Sequence, residues 1–354
     1  EMLDPNATER DGDYVWSEQA TGVGHYAKYA DKRVAESDTE NLLVQLAMEN
    51  SAKTGKPIDQ RAIDNVAQEI QEDVDTTEAR RVYDSPSKGV LWGWEVPAYV
   101  WTKALATGTF LMMAVWSLFM GELSPESEMN GLIISLFFMG LTGGFLVKDL
   151  DRPDRFLYVL LRPQWKSWLV RGAYIITVFG GLVTMKLMGN LFEISMNWVW
   201  VIGGIFAILG AVYTAFLFNQ ARARDLWQTP IQSAIHMLVH ATMAGSVVLM
   251  IIAPDSSQWM ANILLWGIVA NVIILAKEIL MPHDTPDTKK AIELMTKGYY
   301  SKYFWAGIVL GNLTPIVILN TGPSMMLIAG GLALVGIYLT EFVRIRVPQM
   351  IPLS

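Results

Sequence analysis

The chain has 354 residues, of which 52% are hydrophobic and only 17% are charged, a charged share below the roughly 25% usual for soluble globular proteins. The formal net charge of −7 argues against nucleic-acid binding, which requires a basic surface. Because there is no cysteine, the chain itself holds no disulfide, no thiolate-ligated iron–sulfur cluster and no cysteine-type zinc site.

Residues 1–91 are predicted to form a soluble, acidic N-terminal extension. The first 92 positions hold 19 Asp/Glu against 10 Lys/Arg, so the negative charge of the whole chain belongs to this segment. Ser37 and Glu40 have the spacing of a capping box and predict a helix over 41–53, and Pro57 begins a second helical pattern. Two short helices cannot bury a core of their own. We expect the extension to dock on a partner subunit; a flexible acidic leader is the alternative.

Apolar stretches then follow one another to the end of the chain. Crossing about 30 Å of hydrocarbon takes roughly 20 residues of helix, and tryptophans gather at the ends of these stretches, as they do at membrane interfaces. We therefore predict an all-α integral membrane domain over 92–345, with eight transmembrane helices in two four-helix bundles, and a tail over 346–354. The predicted spans are 97–120, 130–148, 168–189, 197–218, 233–253, 259–279, 302–321 and 323–343.

Basic residues between the spans are concentrated on one side of the membrane. The loop regions on the N-terminal side, taken as 148–171, 219–232 and 277–302, carry 15 Lys/Arg together with the residues that follow the last span, whereas the opposite loops carry one, Lys186. We expect a multi-pass protein of the inner (cytoplasmic) membrane. By the positive-inside rule, both of its termini are expected in the cytoplasm.

The first span opens with three ionisable side chains on one helix face. Glu95, Tyr99 and Lys103 are spaced i, i+4 and i+8. A carboxylate, a phenol and an amine in line could hydrogen-bond a quinone carbonyl and relay its protons. The alternative is that Glu95 and Lys103 snorkel to the interface and Tyr99 belongs to the aromatic belt. Charged groups this deep are costly, which favours the functional interpretation.

The fifth span carries a histidine pair, His236 and His240, four residues apart on one face. Two histidines stacked on one helix cannot ligate a haem from opposite sides, so a bis-histidine haem is not expected, and no metal site is predicted. The pair could form helix–helix hydrogen bonds. Alternatively, it could belong to a proton path together with Glu278.

The loop after the second span is dense in opposite charges and contains two prolines, which indicates a rigid, ion-paired loop. It resembles the signature of the NrfD/PsrC-like family, the membrane subunits of polysulfide-reductase-type complexes. The resemblance covers roughly 92–345 and rests on Asp149-Leu150-x-Arg152-Pro153-x-Arg155-Phe156, then Leu161-Arg162-Pro163 and Ser167-Trp168-x-x-x-Gly172. The family often has glycine where this chain has Asp151.

This resemblance implies a subunit without haem that binds a quinone, menaquinone or ubiquinone, near the start of its first helix. It also implies an iron–sulfur electron-transfer subunit docked on the membrane surface, with a catalytic, often molybdopterin, subunit beyond it. Tyr99 stands about where some relatives have histidine, and Asp149 and Arg152 would shape or protonate the rim of the pocket. The favoured function is therefore that of a quinone-reactive subunit of a respiratory oxidoreductase. The alternatives are an ion- or proton-translocating module and a purely structural anchor.

Overall fold

In the computed structural model, Trp92–Pro348 form one compact unit. The regular structure is helical throughout, and the described residues contain no strand. The helices predicted in the extension and the loop motif around Arg152 lie outside the described residues. The structure describes residues 92–149, 156–221, 224–281, 285–319 and 321–351.

Eleven helices, α1 to α11, are found among the described residues. A π-helical turn over Val309–Leu313 joins α9 to α10 without a break. The helices are α1 Glu95–Phe119, α2 Pro125–Lys148, α3 Phe156–Leu161, α4 Trp168–Leu191, α5 Trp198–Asn219, α6 Pro230–Ile252, α7 Ser257–Leu280, α8 Pro286–Thr296, α9 Ser301–Ile308, α10 Thr314–Ile318 and α11 Pro323–Arg346.

Seven of the predicted spans are confirmed as helices that are long and apolar enough to cross a membrane. They are α1, α2, α4, α5, α6, α7 and α11, and their ends fall within a few residues of those predicted. The remaining predicted span, 302–321, corresponds to the helical run Ser301–Ile318, which the π turn divides into shorter pieces. The count of eight is therefore not confirmed.

Local sequence explains where these helices begin. The Ser124 side chain accepts a hydrogen bond from the Ser127 backbone N–H (3.2 Å) and caps α2, and Pro125 occupies its first turn. Acidic Glu128 near the start of α2 and basic Lys148 at its end complement the helix dipole. Thr285 caps the surface helix α8 in the same way, through the Thr288 N–H.

The long helices pack around α1, which contacts α2, α5, α6 and α11, while α4 packs on α5 and α2. Helix α6 contacts α5 and α7 as well as α1, and the run from α9 to α10 packs on α11. Because α1 and α5 both pack on α6, the predicted division into two four-helix bundles is not confirmed. Most of the length of α1 is buried, which places its polar side chains inside the protein.

Candidate functional site

Tyr99 and Lys103 lie in the interior, one turn apart on α1. Their exposed fractions are 2% and 1%, so Lys103 does not snorkel to the interface. The ammonium Nζ of Lys103 donates to the backbone C=O of Ala211 (3.0 Å) and to the hydroxyl of Thr214 on α5. It also lies 4.4 Å from the centre of the Tyr213 ring, a cation–π distance.

The hydroxyl groups of Tyr99 and Tyr213 are buried, and both approach the hydroxyl of Thr214 without forming a well-aligned hydrogen bond. A buried hydroxyl without a partner is costly and is found mostly where a water or ligand completes its hydrogen bonding. Tyr99 is therefore the side chain of the predicted set that is best placed to bind a polar group of a ligand.

Glu95 marks the end of the site that is nearest the aqueous phase. Its carboxylate lies 3.2 Å from the ammonium of Lys148, the last residue of α2. Lys148 also lies over the ring of Trp94, 4.3 Å from its centre. Asp149 caps the C-terminus of α2 at this same end. The structure thus brings Glu95 and Asp149 to one end of the helix pair, with Tyr99 one turn deeper.

A small cavity lies beside Lys103, with room for about one water molecule, and it is too small for a quinone ring. His240 of α6 forms part of its wall, so Lys103 of α1 and one member of the histidine pair line the same space. The other lining residues are Val100, Ala104, Ala211, Met237 and Ile337.

The histidine pair belongs to a buried polar cluster between α6, α7 and α11. The ring Nε2 atoms of His236 and His240 lie 2.6 Å and 3.0 Å from the same atom, Oδ1 of Asn271 on α7. The helix–helix hydrogen bond predicted for this pair is therefore present. Asn271 in turn donates to Oδ1 of Asn312 (2.7 Å), which lies on the π turn.

Arg344, near the end of α11, holds the other side of this cluster. Its guanidinium lies 2.7 Å from Nδ1 of His236 and 3.3 Å from Oε1 of Glu341. It also forms an ion pair with Glu278 of α7, with N–O distances of 3.2 Å and 3.1 Å. Glu341 further lies 3.1 Å from Nδ1 of His240. Two carboxylates, one guanidinium and two imidazoles thus share one buried volume.

This geometry is unfavourable for a haem or a metal ion. Both histidines direct Nε2 to one amide oxygen, so neither offers it as an axial haem ligand. Donor atoms of His236, His240 and Glu341 do lie within 4.8 Å of one another. However, the guanidinium of Arg344 contacts two of these three side chains and already supplies a positive charge at that place.

Several members of the cluster were not among the predicted site residues. Asn271, Asn312 and Glu341 are polar residues inside predicted spans, and that was their only signal. Arg344 was counted in the sequence only as one of the basic residues that follow the last predicted span. The π turn lies in Gly311-Asn312-Leu313-Thr314-Pro315, where a glycine and a proline stand four residues apart inside the predicted span 302–321.

The fold and site define a polytopic, all-helical membrane domain with buried, charged side chains in its interior, and such side chains in membrane proteins are generally functional. A comparison with protein families then identifies the class. The model described as polysulphide reductase, NrfD, matches residues 84–352, and the chain belongs to this family. A search of curated proteins found no match.

Proposed function

We propose that this chain is the quinone-reactive membrane subunit of a multi-subunit oxidoreductase. Membership of the polysulphide reductase family supports a subunit of an oxidoreductase complex in a membrane. The observation that carries the quinone assignment is the hydroxyl of Tyr99, which is buried, makes no well-aligned hydrogen bond and lies one turn inside the Glu95 end of α1.

The donor set fits the headgroup of a quinone. A quinone carbonyl accepts hydrogen bonds and the corresponding quinol donates them, and a phenol can serve both. A bound menaquinone or ubiquinone would supply two-electron, two-proton exchange. We place its headgroup at the Glu95 end of α1, because the cavity beside Lys103 is too small for it.

Protons would reach this place from the aqueous phase through the ionised groups at its rim. Glu95 is partly exposed and paired with Lys148, so it can exchange protons with water and present them toward Tyr99. Asp149 lies at the same end, and we assign Arg152 to the same rim from its position in the loop motif. Lys103 lies at the deeper end of the same face of α1, where hydrogen bonds to α5 fix its position.

The quinone would exchange electrons with an iron–sulfur subunit docked at the Glu95 end, with a catalytic subunit, of molybdopterin type in our proposal, beyond it. Electron transfer over a short distance requires the iron–sulfur subunit and the quinone headgroup to lie at the same side of the membrane. The basic loops on that side support a cytoplasmic location in the inner membrane. We further propose that Ser301–Ile318 crosses the membrane as the eighth span, since it packs along α11.

The experiment is to purify the protein from its native membrane with its partners, extract it with organic solvent, and measure quinone and iron. About one quinone per chain, together with iron in a copurifying subunit, is the expected result. A folded, monodisperse preparation that contains neither would contradict the proposal. The variant Tyr99→Phe should lower the quinone content, whereas Tyr174→Phe should not, because the Tyr174 hydroxyl donates to the Leu160 carbonyl, away from α1.

Proton translocation is the second candidate function, and the buried cluster of α6, α7 and α11 favours it. His236, His240 and Glu278 are the residues that the sequence suggests for a proton path. The structure joins them through Asn271 and Arg344. Reconstituted vesicles would distinguish this function: acidification that follows quinol oxidation and is lost in His240→Gln supports it, and oxidation without any proton movement opposes it.

A further inference from the structure

Trp101 is the one residue between Val96 and Ala114 on α1 that is not buried. Because α1 lies at the centre of the domain, a partly exposed side chain in this stretch marks a place where the neighbouring helices leave α1 open. The helices on either side of Trp101 are α2 and α11. Both pack on α1, but the described residues of α2 and α11 hardly touch each other. A groove that faces the lipid therefore lies between these two helices, with Trp101 on its floor.

Aromatic side chains form the walls of this α2–α11 groove. The Trp101 ring lies edge-on to Phe138 of α2 and to Tyr338 of α11, with ring centres 6.2 Å and 6.3 Å apart. The indole Nε1–H of Trp101 donates to the backbone carbonyl of Leu334 on α11 (2.9 Å), which fixes the ring across the floor. Phe138 and Tyr338 are themselves partly exposed, as expected of residues that border an open space. These rings offer apolar faces and edges against which a planar ring can pack.

The groove ends at the aqueous side of the membrane, at the place proposed for the quinone headgroup. Trp94 precedes Trp101 by two turns of α1, about 10 Å along the helix axis, and its ring centre lies 5.7 Å from that of Phe145 on α2. Glu95 and its ion-pair partner Lys148 lie at this same end, 3.2 Å apart. The groove thus leads from the lipid-facing side at Trp101 to the polar end of α1 within two helical turns.

Tyr338 gives the groove a second polar group. Its hydroxyl makes no hydrogen bond within the described part of the chain, and the charged group that acts on it electrostatically is Glu95. A phenol can donate a hydrogen bond to a carbonyl or accept one from a hydroxyl. A carboxylate and an unbonded phenol at one end of an aromatic groove therefore match a ring that carries oxygen atoms and an apolar tail.

Other lipophilic molecules fit this groove less well. A phospholipid acyl chain needs only an apolar surface and would leave the Tyr338 hydroxyl without a partner, which is unfavourable. An anionic headgroup would approach the carboxylate of Glu95, whose charge opposes it. A neutral quinone has neither disadvantage, since its carbonyls accept hydrogen bonds and its tail is apolar.

We propose that the α2–α11 groove is the lateral entrance for quinone. The ring passes from the bilayer over Trp101 to the Glu95 end of α1, Tyr338 hydrogen-bonds it on the way, and its isoprenoid tail stays in the groove. This assignment rests on the proposed quinone function and extends it by naming the route of the ligand and the surface that holds its tail. It gives a role to Trp101, Phe138 and Tyr338, which the headgroup site does not use.

Photoaffinity labelling of the intact complex in its membrane tests the route directly. The probe is a long-tailed quinone with a photoreactive azide on the tail, close to the ring, and mass spectrometry locates the modified residues. We expect label within 138–145 of α2 and 334–342 of α11, suppressed by an excess of the unlabelled quinone. Label that the excess suppresses but that falls on other helices overturns the entrance.

Kinetics with a long-tailed quinol and a tail-less analogue give a second test. Leu141 is 36% exposed on α2, one turn from Phe138, and Leu141→Trp should obstruct the groove. We expect kcat/KM to fall severalfold for the long-tailed quinol and to stay unchanged for the analogue, which can enter from water at the Glu95 end. Ile205→Trp is the matched control, because Ile205 is 53% exposed on α5 and the substitution adds similar bulk away from the groove.

Tyr338→Phe should lower kcat/KM for both quinols, since it removes the hydroxyl that contacts the ring. Equal effects of Leu141→Trp on the two quinols, or an equal loss in Ile205→Trp, would overturn the entrance. If Tyr99→Phe lowers the quinone content while both groove variants leave the kinetics unchanged, the quinone function stands and the entrance is wrong. A complex that contains no quinone and turns over no quinol contradicts the proposed function itself.

Discussion

Gly108 of α1 and Gly245 of α6 lie so close together that neither position has room for a side chain. A methyl group on Gly108 would lie 1.9 Å from the carbonyl oxygen of Ala241, and one on Gly245 would lie 2.0 Å from the carbonyl oxygen of Gly108. Small residues allow such close contact between membrane helices. Because α1 carries Lys103 and α6 carries His240, this helix contact also sets the distance between these two side chains.

Gly108→Ala should therefore destabilise the protein, since the two backbones would have to move apart. Overpacking of this kind costs about 1–3 kcal/mol, and we expect a lower melting temperature in mild detergent. Gly140→Ala on α2 is the control, because no atom lies within 4 Å of its added methyl group. It should be neutral or stabilising, since alanine favours a helix by up to about 1 kcal/mol over glycine. Equal losses in the two variants would contradict the close-contact explanation.

Tyr99→Phe should impair quinol turnover by the purified complex while leaving assembly intact. The substitution removes only a hydroxyl, and that hydroxyl makes no well-aligned internal hydrogen bond whose loss would destabilise the fold. A hydrogen bond made to the ligand is worth about 1 kcal/mol or more, which corresponds to a loss of turnover of roughly five- to tenfold. Steady-state kinetics with a soluble quinol analogue would measure it. Unchanged turnover would show that Tyr99 is not a quinone ligand.

The helical organisation could be predicted from sequence because hydrocarbon thickness sets a length that apolar runs must satisfy. The Ser301–Ile318 run was the exception. Its Gly311-Asn312 step forms a π turn, in which Gly311 packs against Gly336 of α11 so tightly that an added methyl group would lie 2.2 Å from the Gly336 Cα. Gly311 and Pro315 are both unfavourable inside a regular helix, but the tertiary contact that explains the π turn lies in another helix.

The candidate site could be predicted only in part, for a similar reason. Helical spacing placed Tyr99 and Lys103 on one face, and both are buried there. Spacing could not show that Arg344, near the chain's C-terminal end, lies against His236, 108 residues away. In the sequence, Arg344 could not be distinguished from a basic residue that follows a span on the predicted cytoplasmic side. Contacts of this range depend on how α6 and α11 pack, and no local pattern encodes them.

Asn271→Leu should destabilise the buried cluster more than its single amide suggests. The oxygen of Asn271 is the shared acceptor of two imidazoles, so leucine leaves two buried donors without a partner. Each such donor costs about 1–3 kcal/mol. Asn219→Leu is the comparison, since the Asn219 amide makes one hydrogen bond to Gln228 (3.2 Å) in a partly buried place. Thermal unfolding should show the larger loss at Asn271; a smaller loss there would refute the shared-acceptor role.

Lys186 and Glu128 should behave as a coupled pair at the opposite end of the domain. Their ion pair is 2.8 Å long, the lysine side chain is 5% exposed, and Asn190 bonds both partners. Breaking a buried pair from one side costs about 3 kcal/mol, because a charge is left without its counter-charge. We expect Lys186→Met to lower stability and Glu128→Gln to restore part of the loss in the double variant. Additive losses would mean that the two charges are not coupled.

The orientation in the membrane can be measured directly, because a chain without cysteine accepts single reporter cysteines in an unaltered background. Gln164 and Asp255 are exposed in connectors at opposite ends of the helices. With the basic loops in the cytoplasm, Asp255→Cys should react with a membrane-impermeant maleimide that is added to spheroplasts, whose inner membrane is intact. Gln164→Cys should react only after the membrane has been permeabilised. The reverse pattern would place the Glu95 end of α1, and with it the proposed docking side of the iron–sulfur partner, on the outer face. In that case the basic residues near Gln164 would have to be retained for binding that partner, because the positive-inside rule would no longer explain them.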